Sequence, residues 1–199
     1  MNTTNKLYLI ALAVVSFAFS SCTSEDPVSE NDGELITDVT LTFQEIDANG
    51  NAVGASFDFT ASDSEGIEIG STPTVETVTL TKGKRYEMSI DVYNSVASED
   101  ITEEIRAEGD EHQFYFLGSA FTSSPFLSYE YNDEGAEIIG LKGIVTVQQS
   151  PGFTTADFQL LLRHALDKNY PGAENPNFQD YAKAGGETDL DITFPVVVQ

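Results

Sequence analysis

The chain of 199 residues carries 9 Lys and Arg against 33 Asp and Glu, a net charge of −24. That balance excludes nucleic acid as a partner, because phosphate binding needs a basic footprint, and it argues against direct attraction to anionic lipid. With 40% hydrophobic and 11% aromatic residues the chain is not a disordered acidic polymer, and it is long enough to bury one substantial core. A surface this acidic suits a cationic ligand, a basic partner, or plain solubility.

At the amino end, Lys6 is the only basic residue before a nearly unbroken apolar run over residues 7–19. This is the charged and apolar pattern of a secretory signal peptide, and the run is too short for a membrane-spanning helix, which needs about 20 residues. Ser20 and Ser21 lead to Cys22, the only cysteine in the chain. "SFAFSSC" resembles the lipobox of bacterial lipoproteins, with Phe19 in place of the usual Leu. The resemblance implies removal of residues 1–21 and lipidation of Cys22, and hence a membrane partner held through the anchor. One acyl chain holds only marginally, with a constant of about 10⁴ M⁻¹, whereas two or three hold firmly. Residues 22–33, rich in acids with Ser, Pro and Gly and without apolar periodicity, read as a flexible tether. An acidic stretch behind the lipidated cysteine is similar to the surface-export signal of Bacteroidota lipoproteins, and no Asp directly follows Cys22. The expected location is the outer membrane, with display on the cell surface as the export reading. A solvated linker that carries no address is the alternative.

From residue 34 onward the apolar pattern has period two. Val39, Leu41 and Phe43 alternate with polar residues, as do Phe57 and Phe59, then Val78 and Leu80, then Tyr86, Met88, Ile90 and Val92. Residues 97–108, "ASEDITEEIRAE", break the pattern and predict a short helix crossing between sheets. Ser98 is its N-cap and Gly109 its end, and a sub-boundary falls near 97–111. Alternation resumes at His112, Phe114 and Phe116; at Leu127, Tyr129 and Tyr131; and at Ile139, Leu141, Val145 and Val147. "FQLLLRHAL", residues 158–166, has helical propensity but is short and flanked by turn signals, so it reads as a strand. Residues 167–187 read as a long loop of the kind that often carries function. Leu190, Ile192, Phe194, Val196 and Val198 form the last strand. About ten strands with short turns predict an all-β fold over residues 34–199, an antiparallel, immunoglobulin-like β-sandwich with one short connecting helix.

The segments "LTKGKRYEMSIDVYN", "EDITEEI", "DEHQFYF", "LLLRHALDK" and "GGETDLDITFPVVVQ" resemble motifs of a group of small acidic outer-membrane lipoproteins of Bacteroidota. The resemblance runs from about residue 37 to 199. Members often carry the label of a type 1 periplasmic binding domain, which would mean two doubly wound α/β lobes. The period-two pattern here favours the sandwich over that label. The resemblance implies an accessory to a TonB-dependent receptor in outer-membrane uptake.

Catalytic signatures are absent from the sequence. There is no Gly-x-Ser-x-Gly elbow, no His-Glu-x-x-His, no P-loop and no dinucleotide fingerprint, and the expectation is a binding protein without catalysis. The two histidines carry the remaining chemistry. His112 opens one apolar strand face and His164 closes another, so strands meeting end to end would place both imidazoles at one rim of the core. With Glu111, Asp167 and Asp189 nearby in sequence, the set is competent for zinc, or for iron with open positions. Histidines at strand ends also serve as hydrogen-bonded structural residues. Asp47-Ala48-Asn49-Gly50-Asn51 offers alternating oxygens for calcium, but a hairpin turn explains it better. Tyr170, Phe178 and Tyr181 in the long loop are candidate contacts with a protein or glycan partner, unless they fold back onto the sheet. Two functions follow: capture of a ligand such as a transition metal, or an adhesive or structural surface module. Capture needs the imidazoles close and accessible; adhesion leaves them apart or buried.

Overall fold

The computed structural model describes residues 35–69, 72–122 and 124–199. The expected signal segment, Cys22 and the expected tether lie outside the described residues. The elements run β1 (Asp38–Ile46), β2 (Phe57–Ser62), β3 (Thr74–Val75), β4 (Val78–Leu80), β5 (Arg85–Asn94), β6 (Glu99–Asp100), α1 (Ile101–Ala107), β7 (His112–Leu117), β8 (Leu127–Tyr131), β9 (Lys142–Val147), β10 (Thr155–His164), a 3₁₀ turn (Tyr181–Ala184) and β11 (Glu187–Val198). The larger sheet has the order β3-β2-β1-β5-β9-β8, with β6 also paired to β5; the smaller has the order β4-β11-β10-β7. The fold is the expected all-β sandwich with one short helix. Alternation decides the inner faces. Val39, Leu41 and Phe43 lie opposite Val92, Ile90 and Met88, while Leu160 and Leu162 lie opposite Phe116 and Phe114. All of these belong to one buried core shared by the two sheets.

Pairing is antiparallel except between β4 and β11, where Val78–Leu80 run parallel to Val196–Val198. Here the chain leaves β3 at the edge of the larger sheet and joins the edge of the smaller one within a few residues, before turning back as β5. The Asp47 to Asn51 stretch is a hairpin turn. The Asp47 carboxylate accepts from the backbone N–H of Asn49 and Asn51 and from the Asn51 amide, and Ile46 bridges to Ala52. Those hydrogen bonds hold the carboxyl below its usual range.

Two expectations are corrected in detail. Ser98 does not cap the helix: it takes a left-handed backbone (φ 60°) in the turn that pairs Asn94 with Glu99. The chain is therefore still extended at Asp100. The Asp100 carboxylate caps the helix by accepting from Thr102 N–H. The last helical residue is Ala107, and Glu108 rather than Gly109 closes the turn by donating its N–H to Glu104. Asp100→Ala is expected to lower stability by about 1 kcal/mol, while Ser98→Gly leaves it unchanged or slightly raised, as read from urea unfolding curves. Second, Ile139 and Leu141 are buried but precede β9. The Asp133 carboxylate takes the N–H groups of Ile139 and Gly140, which removes them from the ladder. The Ile139 carbonyl instead accepts from Phe114 N–H, at the free edge of β7.

The long loop does not stand away from the sandwich. Leu166 and Ala184 are buried with Tyr115, Leu117 and Leu161, the outward side chains of β7 and β10, and Tyr170, Phe178 and Tyr181 pack against them. All six residues of β7 are consequently buried, where period two predicts one wet face. This burial pushes the Tyr115 phenol up to about 12. Its hydroxyl donates to the Ala173 carbonyl of the loop.

Candidate metal centre

β7 and β10 are neighbours in the smaller sheet, and antiparallel pairing sets the first residue of one beside the last of the other. His112 and His164 are register partners, not merely residues at a common rim. Both belong to the inward series, His112 with Phe114 and Phe116, His164 with Leu162 and Leu160. Their rings stack with centroids 4.3 Å apart and planes 14° from parallel.

The third component comes from an irregularity. Down β11, Leu190 pairs with Leu162, but Thr188 pairs with Arg163, so Asp189 has no register partner. This is a β-bulge, a device that redirects a side chain. Continued alternation from Leu190 would send Asp189 outward. Instead its Oδ2 lies 3.6 Å from His112 Nε2 and 3.8 Å from His164 Nδ1. The Asp189 side chain is only 5% exposed, and Oδ2 accepts no hydrogen bond from the described residues.

Two further carboxylates approach from the segment after α1. Glu111 Oε2 lies 3.4 Å from His164 Nε2, and Glu108 Oε2 lies 4.0 Å from His112 Nδ1. One oxygen of Glu108 and one nitrogen of each imidazole lie within 4.8 Å of one another. The same turn fixes the rings. The Glu108 carbonyl accepts from the N–H groups of Glu111 and His112 and lies 3.2 Å from His112 Nδ1, and Ala165 N–H donates to the Glu111 carbonyl. A proton on His112 Nδ1, shared with that carbonyl, leaves the lone pair of Nε2 facing the Asp189 carboxylate. The Asp189 carboxylate and His112 Nε2 lie 3.6 Å apart in a buried place, a spacing that suits an ion pair or a shared cation.

His112 is fully buried and His164 is 15% exposed, whereas Glu108 and Glu111 are half-exposed. The imidazoles are therefore close together and largely enclosed, with the two glutamates as the more exposed members of the group. Two imidazole nitrogens with carboxylates suit zinc and related borderline cations better than calcium or magnesium, which take oxygen ligands throughout.

Of the residues anticipated from the sequence, the structure brings together His112, His164, Glu111 and Asp189. Asp167 stands outside: it is exposed, its carboxylate accepts from Asn169 N–H, and its own N–H donates to the Ala184 carbonyl. It shapes the loop instead. Glu108 was not anticipated. Its signal is its place four residues before His112, at the last position of the helix expected over 97–108. Tyr170, Phe178 and Tyr181 are only partly exposed and face Tyr115 and one another, with Phe178 and Tyr181 rings 6.1 and 6.4 Å from Tyr115. The Arg163 guanidinium lies 5.5 Å over the Tyr181 ring. They fold back onto the sheet while remaining partly exposed.

No helix among the described residues is long and apolar enough to cross a membrane. Comparison of the chain with protein-family models, with curated proteins and with solved structures finds no match.

Proposed function

We propose that this chain is a lipid-anchored, non-catalytic binding module of a bacterial outer membrane that captures a transition-metal cation, zinc or iron, at His112 and His164, as accessory to a TonB-dependent receptor. The observation that carries the metal reading is the buried Asp189 carboxylate set by a bulge against two stacked imidazoles. The half-exposed Glu108 and Glu111 give a cation an acidic approach on a chain of net charge −24. The anchor and the location rest on the pattern around Cys22, and the receptor on the sequence resemblance. The adhesive reading loses support, because the aromatic side chains that would serve it pack against the sheet.

Calorimetric titration of the full chain in detergent with zinc tests the reading. One zinc ion per chain is expected to bind with micromolar or tighter affinity. Binding is lost in His112→Ala and His164→Ala, weakened in Asp189→Asn, and unchanged in Asp167→Asn. Heat that is the same in the two histidine variants as in the parent defeats the assignment.

A further inference from the structure

Residues 35–37 lead into β1 at one end of the larger sheet, and two turns hold them there. The Ile36 carbonyl accepts from Ile67 N–H at 2.9 Å, in the turn after β2. Thr37 N–H donates to the Tyr93 carbonyl at 3.0 Å, and the Thr37 and Ser95 hydroxyls lie 2.9 Å apart, in the turn after β5.

Both turns turn apolar side chains to solvent. Ile69 is 60% exposed and Val96 is 66% exposed, more than any other large apolar side chain among the described residues. Ile69 stands beside Leu35: a Cβ built on Gly66 would meet Leu35 Cδ1 at 2.5 Å and Ile69 Cδ1 at 3.3 Å. Val96 follows Ser95, on the other side of Thr37. Tyr93, the β5 partner of Asp38, is half-exposed between them. Exposed apolar side chains scattered singly mean little, but a group gathered round one point marks a contact surface.

What lies before residue 35 names the occupant. Residues 23–34, twelve in all, join this end of the domain to Cys22, and fully extended they reach at most about 43 Å. A lipid on Cys22 therefore ties the domain to the membrane by the end that carries Ile69 and Val96. Asp63, Glu65 and Glu68 stand in the same turn as Ile69, which fits a zwitterionic surface and not an anionic one.

We propose that Leu35, Ile69, Tyr93 and Val96 form an apolar foot that rests on the zwitterionic lipid surface to which Cys22 anchors the chain. The foot adds to the anchor as a second signal adds to one acyl chain, and a tyrosine with one apolar and one wet end suits that boundary. This rests on the reading of Cys22 as lipidated and is independent of the metal reading. It also orients the domain. The Glu68 carboxylate accepts from Asp191 N–H, two residues beyond Asp189, so the His112 and His164 centre lies toward the same end and faces the membrane plane.

The chain contains no tryptophan, so a single introduced one reports only its own surroundings. Ile69→Trp, Val96→Trp and the reference Val53→Trp are each prepared as the full lipidated chain on phosphatidylcholine vesicles, with and without bromine in the acyl chains. Val53 is 43% exposed, and its N–H donates to Glu45, roughly 23 Å along β1 from Asp38. Tryptophan at 69 and at 96 is expected to lose fluorescence to the brominated lipid, and tryptophan at 53 to keep it. The two foot positions cover the case in which one variant does not fold. Val96→Ser added to Ile69→Trp is expected to reduce the loss; an unchanged loss assigns the contact to the reporter and overturns the foot. Chain that floats with the vesicles but keeps its fluorescence at 69 and 96 overturns the foot, leaves the anchor standing and leaves the patch to a protein partner. Equal losses at 53, 69 and 96 overturn it as well, since the domain then has no preferred face. Chain that does not float overturns the anchor and the foot together.

Discussion

Phe116→Ala is expected to lower the free energy of unfolding by about 3–5 kcal/mol, the largest loss from any single truncation in the smaller sheet. Phe116 is fully buried and joins the two layers of the sandwich. Its ring stacks on Tyr129 of the larger sheet with centroids 3.5 Å apart and meets Phe158 of β10 at 6.0 Å. The surroundings cannot collapse easily into the space left. β7 is held on one side by β10 and on the other by hydrogen bonds from Phe116 N–H to Pro176 and from Phe114 N–H to Ile139. A cavity that cannot relax costs the lost contacts as well as the transfer free energy. Phe153→Ala is the matched reference, since Phe153 is 39% exposed and touches the core through the Phe126 ring alone among the aromatics. It is expected to cost under about 1 kcal/mol. Equilibrium unfolding in urea reads both. A Phe116→Ala loss no larger than that of Phe153→Ala contradicts the packing described here.

What could be read from the sequence was whatever follows from the period of two. The residues of each inner face stand where the alternation puts them, and "FQLLLRHAL" is extended because its neighbours supply strand partners on both sides. Pairing order is a property of distant segments, and no local pattern contains it. That is why His112 and His164 could be placed at strand ends but not beside each other. Three kinds of local chemistry also escaped. The Asp189 bulge leaves the alternation from Leu190 to Val198 intact, so the redirected residue reads as one more outward acid. The cap moved from Ser98 to Asp100 because a two-residue pairing with β5 keeps the chain extended longer than propensity implies. The wet face of β7 disappeared because a segment far along the chain folds over it. In each case a tertiary contact overrode a local preference.

Gly186→Ala is expected to lower stability by more than about 2 kcal/mol, and by more than Gly185→Ala does. The two glycines are adjacent and both have positive φ, 76° at Gly185 (with ψ −160°) and 74° at Gly186, so a side chain is strained at either. They differ in space. Nothing lies within 4 Å of a Cβ at Gly185, whereas one at Gly186 would meet the His164 carbonyl oxygen at 2.2 Å and the Leu166 nitrogen at 2.8 Å. Those neighbours are backbone, which cannot swing aside as a side chain can, so the returning end of the long loop must shift or the end of β10 must move. Either movement displaces His164 relative to Asp189, three residues beyond Gly186. Gly186→Ala should therefore weaken zinc binding although residue 186 supplies no ligand atom, and Gly185→Ala should leave it as it is. Urea unfolding and the zinc titration on the two variants read both effects. Equal stability losses would mean that the crossing above His164 is loose. Unequal losses with equal zinc affinity would mean that the long loop and the centre are mechanically independent.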